Sequence, residues 1–92
     1  MPRTFEDILK LPKVLFVDRG LLPSEPGIYF VLYETKNVRL AYLGKADSIQ
    51  ARWSGHHRAP ELDLLVRLGI GVEIAWVALK KAELATAEET LI

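Results

Sequence analysis

One acidic side chain stands where the helical pattern calls for an apolar one. Residues 80–92 are rich in helix formers, and a period of 3.6 residues places Glu88 inside an apolar stripe. The stripe consists of Leu84, Ala87, Leu91 and Ile92. A carboxylate buried alone is costly, so Glu88 needs a cation, a hydrogen-bond donor or a metal such as Mg²⁺. The alternatives are an ion pair with Arg52 or Lys45, or a position at a frayed helix end.

A second pattern is a basic pair spaced by one helical turn. Arg52 and His56 run along the edge of a stripe formed by Ile49 and Trp53, which should face the core. Charges that border a buried face indicate a cleft, and solvated surface positions are the alternative. His56 and the adjacent His57 point to different sides of a helix, so a His-ligated metal is not expected.

Two tyrosines are framed by glycine in consecutive apolar segments. Residues 27–33 begin with Gly-Ile-Tyr, residues 38–44 end with Tyr-Leu-Gly, and the polar turn between them predicts a β-hairpin. Alternation puts Tyr29, Val31 and Tyr33 on one face of the first strand, with Leu40 and Tyr42 alternating in the same way along the second. Tyr29 and Tyr42 can therefore meet if the register permits, although aromatic side chains in strands usually only pack.

Before the hairpin, the chain predicts a short helix and an irregular segment. Thr4 is a suitable cap for a helix with acidic residues in its first turn, and Pro12 ends it. Residues 13–26 combine an apolar run with several Pro and Gly residues, which leaves room for one short strand. We therefore place an N-terminal segment at 1–22 and one domain at 23–92.

After the hairpin, two helices and a strand precede the last helix. Asp47 and Ser48 are both suitable caps for a helix running to about His57. Pro60 suits the first turn of another helix, and Gly69 should end it. Residues 72–79 are typical of a buried strand. The resulting order, β-β-α-α-β-α, predicts an α+β fold.

Composition limits the functional classes. The chain has 92 residues, half of them hydrophobic, and no cysteine, so packing alone must stabilise one small core. No segment has the pattern of a signal peptide or a membrane span, and we expect a cytoplasmic protein with no membrane partner. Zero formal net charge disfavours strong nonspecific binding to phosphates, but residues 36–67 carry six basic and three acidic side chains. The oligomeric state is left open.

The ordered motifs resemble those of one enzyme family. Gly-Ile-Tyr at 27–29, Tyr-Leu-Gly at 42–44, the following Lys45, the capped helix with Arg52 and His56, and the closing acidic helix are similar to the GIY-YIG endonuclease family over residues 23–92. The resemblance implies a small three-stranded antiparallel sheet flanked by helices. It also implies metal-dependent hydrolysis of phosphodiester bonds in nucleic acid, which we expect to be DNA.

The same resemblance implies a role for each matched residue. Tyr29 would be the general base, Tyr42 would orient water or phosphate, and Arg52 would stabilise developing charge. His56 would hold a tyrosine hydroxyl, and Glu88 would bind a divalent cation, Mg²⁺ or Mn²⁺. An unperturbed tyrosine has a pKa near 10, so a basic role needs nearby cations that favour the phenolate.

Four basic residues are predicted to contact nucleic acid: Arg39, Lys45, Arg58 and Arg67. Lys45, together with Arg52 and a metal, would also favour the phenolate. The neutral charge predicts weak, poorly selective binding. Family members commonly continue beyond the glutamate helix, so we expect this domain to be cut short at its C-terminus. A catalytically inactive module that binds nucleic acid or a protein partner, and a purely structural domain, are the alternatives.

Overall fold

The computed structural model describes residues 4–55 and 59–80, which form an α+β fold around an antiparallel sheet. The helices are α1 (Phe5–Leu9), a 3₁₀ helix (Phe16–Leu21), α2 (Ile49–Ser54) and α3 (Ala59–Arg67). The strands are β1 (Lys13–Leu15), β2 (Gly27–Glu34), β3 (Val38–Ala46) and β4 (Gly71–Ala78). Their order in the sheet is β1-β4-β2-β3, and every neighbouring pair is antiparallel.

The predicted N-terminal helix is confirmed. The Asp7 backbone N–H donates to Thr4 Oγ1 (3.2 Å), and the Thr4 N–H donates to Asp7 Oδ2 (3.3 Å), which forms a reciprocal capping box. Ile8 anchors the helix to the sheet by its buried side chain.

The expectation of three strands was wrong, because the N-terminal segment contributes a fourth. Residues Lys13 to Leu15 pair with β4, with Val14 opposite Ile74. Without β1, the outer edge of β4 would leave a row of backbone donors and acceptors unpaired by the sheet. Three residues are too few to show a period in the sequence, so pairing with β4 decides their structure.

A β-bulge sets which side chains of β3 share a face. Val31 pairs with Tyr42 and Leu32 with Leu40, so Ala41 is an extra residue without a partner on β2. Tyr42 therefore packs on the face that carries Tyr29, whereas Leu40 packs on the other. The regular alternation expected for Leu40 and Tyr42 was wrong for this reason.

A hydrophobic cluster covers each face of the sheet, and β2 is buried on both faces because it lies between the two clusters. The tyrosine-face core lies under the 3₁₀ helix, α2 and α3, and its buried members are Phe16, Leu22, Tyr29, Val31, Ala46, Ile49, Trp53, Leu62, Val72 and Ile74. The opposite-face core lies under α1, and its buried members are Ile8, Ile28, Phe30, Leu32 and Ala75. The predicted division of β2 into two faces is thus confirmed.

The predicted start of α2 and the predicted end of α3 are confirmed, whereas α2 ends earlier than predicted. The Ala51 N–H donates to Ser48 Oγ (3.2 Å) at the start of α2, but the helix stops at Ser54, earlier than expected. Gly69 has φ of +86° and follows α3, and the Ile70 N–H donates to Leu65 O, which is a left-handed helix end suited to glycine. Apart from residue 80, the helix predicted for residues 80–92 lies outside the described residues.

Candidate active site around two tyrosines and Trp53

Tyr29 lies at the centre of the sheet, in an aromatic contact with α2. It is only 5% exposed, and its ring meets that of the fully buried Trp53 edge to face, with 5.2 Å between centroids and 82° between planes. Such pairs are worth about 0.5–1.5 kcal/mol beyond the area they bury. Trp53 therefore limits the directions in which the Tyr29 ring can move.

Gly44 lies directly beneath the Tyr29 ring. The two residues are partners across β2 and β3, and a Cβ added to Gly44 would lie 2.5 Å from Tyr29 Oη and 2.7 Å from Tyr29 Cζ. Both distances are far below van der Waals contact. The phenol can cross β3 at this point because position 44 has no side chain.

A similar close approach of neighbouring atoms explains Gly27, the first residue of the Gly-Ile-Tyr motif. A Cβ at this position would overlap the Val77 carbonyl oxygen of β4 and would lie 2.9 Å from Ile49 Cδ1 of α2. The glycine lets β4 and α2 both pack against the start of β2. Close packing thus explains the glycine in each of the two motifs, whether or not the site is catalytic.

Tyr42 reaches the same tryptophan from the neighbouring strand. Its ring stacks on Trp53 with centroids 6.3 Å apart and planes 27° apart, and its hydroxyl oxygen is shielded from solvent. The sequence predicted that the two tyrosines could share a face, and they do. Both of them contact Trp53.

Arg52 occupies α2 next to Trp53 and is exposed. Because successive helical residues are rotated by about 100°, its side chain leaves the helix beside the buried stripe of Ile49 and Trp53. The predicted burial of that stripe is confirmed, since both residues are fully buried. Position 52 thus lies beside the buried stripe, and its side chain is exposed to solvent.

Lys45 leaves the sheet on the other face. It pairs with Ile28 of the opposite-face core, and its neighbours Gly44 and Ala46 face Tyr29 and the tyrosine-face core. Side chains alternate along a strand, so the sheet lies between the Lys45 ammonium and the two phenols. The position of Lys45 therefore does not support its expected role of favouring a phenolate at Tyr29 or Tyr42.

Two other basic residues predicted to contact nucleic acid are exposed. Arg39 pairs with Tyr33 across the hairpin, which places it on the tyrosine face of the sheet. Arg67 Nε lies 3.0 Å from Asp63 Oδ2 in an exposed pair one helical turn apart on α3. Its guanidinium would have to exchange this partner, at small cost, to contact a phosphate.

His56, Arg58 and Glu88 lie outside the described residues. Within residues 4–55 and 59–80 there is no group of three or more His, Cys, Asp or Glu side chains positioned to hold a metal. The predicted metal ligand, Glu88, is not in that range, so the metal site stays a prediction.

Sequence reasoning placed Trp53 in the core but missed its contact with both tyrosines. The available signal was its spacing of four from Ile49 and its position directly after Arg52. Sequence reasoning also missed that the Tyr29 ring packs directly over the backbone of Gly44. The cross-strand register that reveals it depends on the bulge at Ala41.

Comparisons of the chain with protein-family models, curated proteins and solved structures give no match. Among the helices of the described residues, none combines the length and the apolar character that crossing a bilayer requires.

Proposed function

We propose that this chain is a GIY-YIG-type endonuclease domain that hydrolyses phosphodiester bonds in nucleic acid, with DNA as the substrate. The observation that carries the proposal is the meeting of both motif tyrosines at Trp53 of α2, the helix that also presents Arg52. Residues 29, 42 and 52 are far apart in sequence, and each was assigned to the site by its motif alone. An α+β fold with an antiparallel sheet is compatible with the same family.

Tyr29 is the proposed general base and Arg52 the proposed stabiliser of charge. A phosphodiester gathers negative charge on its nonbridging oxygens as water attacks, and an always-protonated guanidinium stabilises that charge. The same cation favours the phenolate of a nearby tyrosine. Tyr42, held by its stacking on Trp53, orients the attacking water or the phosphate.

Glu88 and His56 lie outside the described residues, and we propose that Glu88 binds a metal and that His56 holds a tyrosine hydroxyl. A divalent cation, Mg²⁺ or Mn²⁺, bound to Glu88 would act as a Lewis acid toward the leaving oxygen. This part of the proposal is supported by the sequence pattern and by the family resemblance.

A plasmid-nicking assay tests the proposal. Supercoiled DNA with Mg²⁺ or Mn²⁺ should be converted to the open circular form by the wild-type protein, and Arg52→Ala should lose about 10²–10³ in rate. Lys10→Ala is the charge-matched control, because Lys10 follows α1 on the other face of the sheet, and it should nick like the wild type. Nicking that survives both Arg52→Ala and Tyr29→Phe unchanged would show that another site, or a contaminant, does the cutting.

A non-cutting module with the same fold is the second candidate. The observations that favour it are the low exposure of Tyr29 and the shielding of the Tyr42 hydroxyl, since a base must reach its water. This candidate predicts DNA or protein binding without nicking under any divalent cation. Binding that is unaffected by Tyr29→Phe, in a protein that never nicks, would favour it over the enzyme.

A further inference from the structure

A preformed groove lies between the 3₁₀ helix and α2, on the flank of α2 that faces away from Arg52. It has a volume of about 620 Å³ and is lined by Val17, Arg19, Gly20, Gln50, Ala51 and Ser54. Arg19 is the charged residue of that lining, and no carboxylate is among the described residues that form it. The groove is therefore suited to an anionic ligand.

Arg19 is held in one orientation by its own helix. Its Nη1 donates to Phe16 O (3.2 Å), and its guanidinium carbon lies 4.4 Å from the centroid of the Phe16 ring. Phe16 is itself buried against Trp53, so the platform beneath the guanidinium is rigid. An arginine ordered in advance loses less side-chain entropy when it binds, and its remaining N–H groups suit a phosphate.

The two walls of the groove are tied together by hydrogen bonds. Gln50 Nε2 donates to Gly20 O (2.8 Å), and the Gln50 backbone N–H donates to Pro23 O (3.0 Å). The Ser54 hydroxyl donates to Ala51 O (2.9 Å). The groove thus exists before any ligand arrives, and a second Gln50 amide N–H is left to donate at its rim.

The groove and Arg52 lie on opposite flanks of the same helix. A rotation of 100° per residue puts Gln50 and Ser54 on one side of the buried stripe and Arg52 on the other. An α-helix is about 10–12 Å across, and a phosphate recurs about every 3.4 Å of rise along one DNA strand. A backbone that crosses α2 could therefore place one phosphate at Arg52 and a different phosphate of the same strand at Arg19.

We infer that the Arg19 groove is a second phosphate-binding subsite, which holds the nucleic-acid backbone beside the proposed cleavage site. This inference depends on the proposed function only in its partner, a polyanionic nucleic acid, and not on cleavage. The subsite supplies one sequence-independent contact and adds no base recognition.

The test is the salt dependence of DNA binding, measured by fluorescence anisotropy of a labelled duplex in EDTA, so that no cutting occurs. Arg19→Ala should reduce the slope of log K against log salt by about 0.9, so a fourfold rise in salt should weaken the wild-type protein about 3.5-fold more than the variant. Arg19→Lys keeps the charge and should keep the slope. Lys10→Ala removes an equal charge beside α1, over the other face of the sheet, and should also keep it.

Each outcome separates the two proposals. A slope for Arg19→Ala equal to that of Lys10→Ala, in a folded protein with a similar melting temperature, overturns the subsite even if the wild type nicks DNA. A reduced slope for Arg19→Ala supports the subsite even if no nicking is found. A wild-type protein without salt-dependent binding overturns the subsite and counts against the proposed function as well.

Discussion

Replacing Gly44 with alanine should disable the site by displacing one ring. The added Cβ would lie 2.5 Å from Tyr29 Oη and 2.7 Å from Cζ, whereas ordinary contacts are about 3.5–4.0 Å, so the phenol must move by about 1 Å. Trp53 restricts this movement, because it is fully buried and its ring centroid lies only 5.2 Å from that of Tyr29. Overpacking of this kind costs about 1–3 kcal/mol, or roughly 4–8 °C in melting temperature for each kcal/mol in a domain of this size.

The effect on activity should exceed the effect on folding. A catalytic group misplaced by about 1 Å can cost about 10²-fold in rate, so we expect that loss in plasmid nicking below the melting temperature of the variant. Gly71→Ala is the matched control, because its Cβ would meet only Glu34 Cβ at 3.9 Å, an ordinary contact. It should melt and nick like the wild type.

A double-mutant cycle isolates the steric cause without requiring any enzymatic activity. Tyr29→Leu removes the hydroxyl and the ring atoms that the new Cβ would meet, so Gly44→Ala should destabilise this background much less than the wild type. The reasoning is refuted if the two changes add to within about 0.3–0.5 kcal/mol, or if Gly44→Ala behaves like Gly71→Ala in both assays.

The other predictions concern the metal, the tryptophan and the lysine. Mg²⁺ at 100 times its Kd should stabilise the wild-type fold by about 2.7 kcal/mol, seen as a higher melting temperature. Glu88→Ala should abolish this shift and the nicking, whereas Glu89→Ala should keep both, and equal shifts in the two variants would remove Glu88 from the metal site. Trp53→Ala should lower the urea unfolding free energy by about 3–5 kcal/mol, and a loss below about 1 kcal/mol would contradict its central packing. Lys45→Ala should leave the nicking rate at saturating DNA unchanged, because the sheet separates position 45 from the phenols; a large fall in that rate would contradict the face assignment.

Local patterns were sufficient for several elements of the fold. The capping box of Thr4, the hairpin, the burial of Ile49 and Trp53 and the helix end at Gly69 all depend on near neighbours in sequence. The sequence left room for one short strand in residues 13–26, but the bounds and the partner of β1 could not be found in this way, since three residues gain strand structure only by pairing with β4, some sixty residues later. The bulge at Ala41 was equally hidden, because nothing in the residue types marks which residue of β3 is left without a partner.

The sequence by itself determined the candidate residues, since the framed tyrosines, the helix arginine and an acid on an apolar stripe are readable as types and spacings. Only the tertiary structure decided that Tyr29 and Tyr42 meet at Trp53, that Lys45 lies across the sheet from them, and that Gly44 is the space occupied by a phenol. The physical reason is that the alternation of side chains is a local property of each strand. The register between two strands, and the face of the sheet to which each side chain points, depend instead on which apolar surfaces the whole chain buries together.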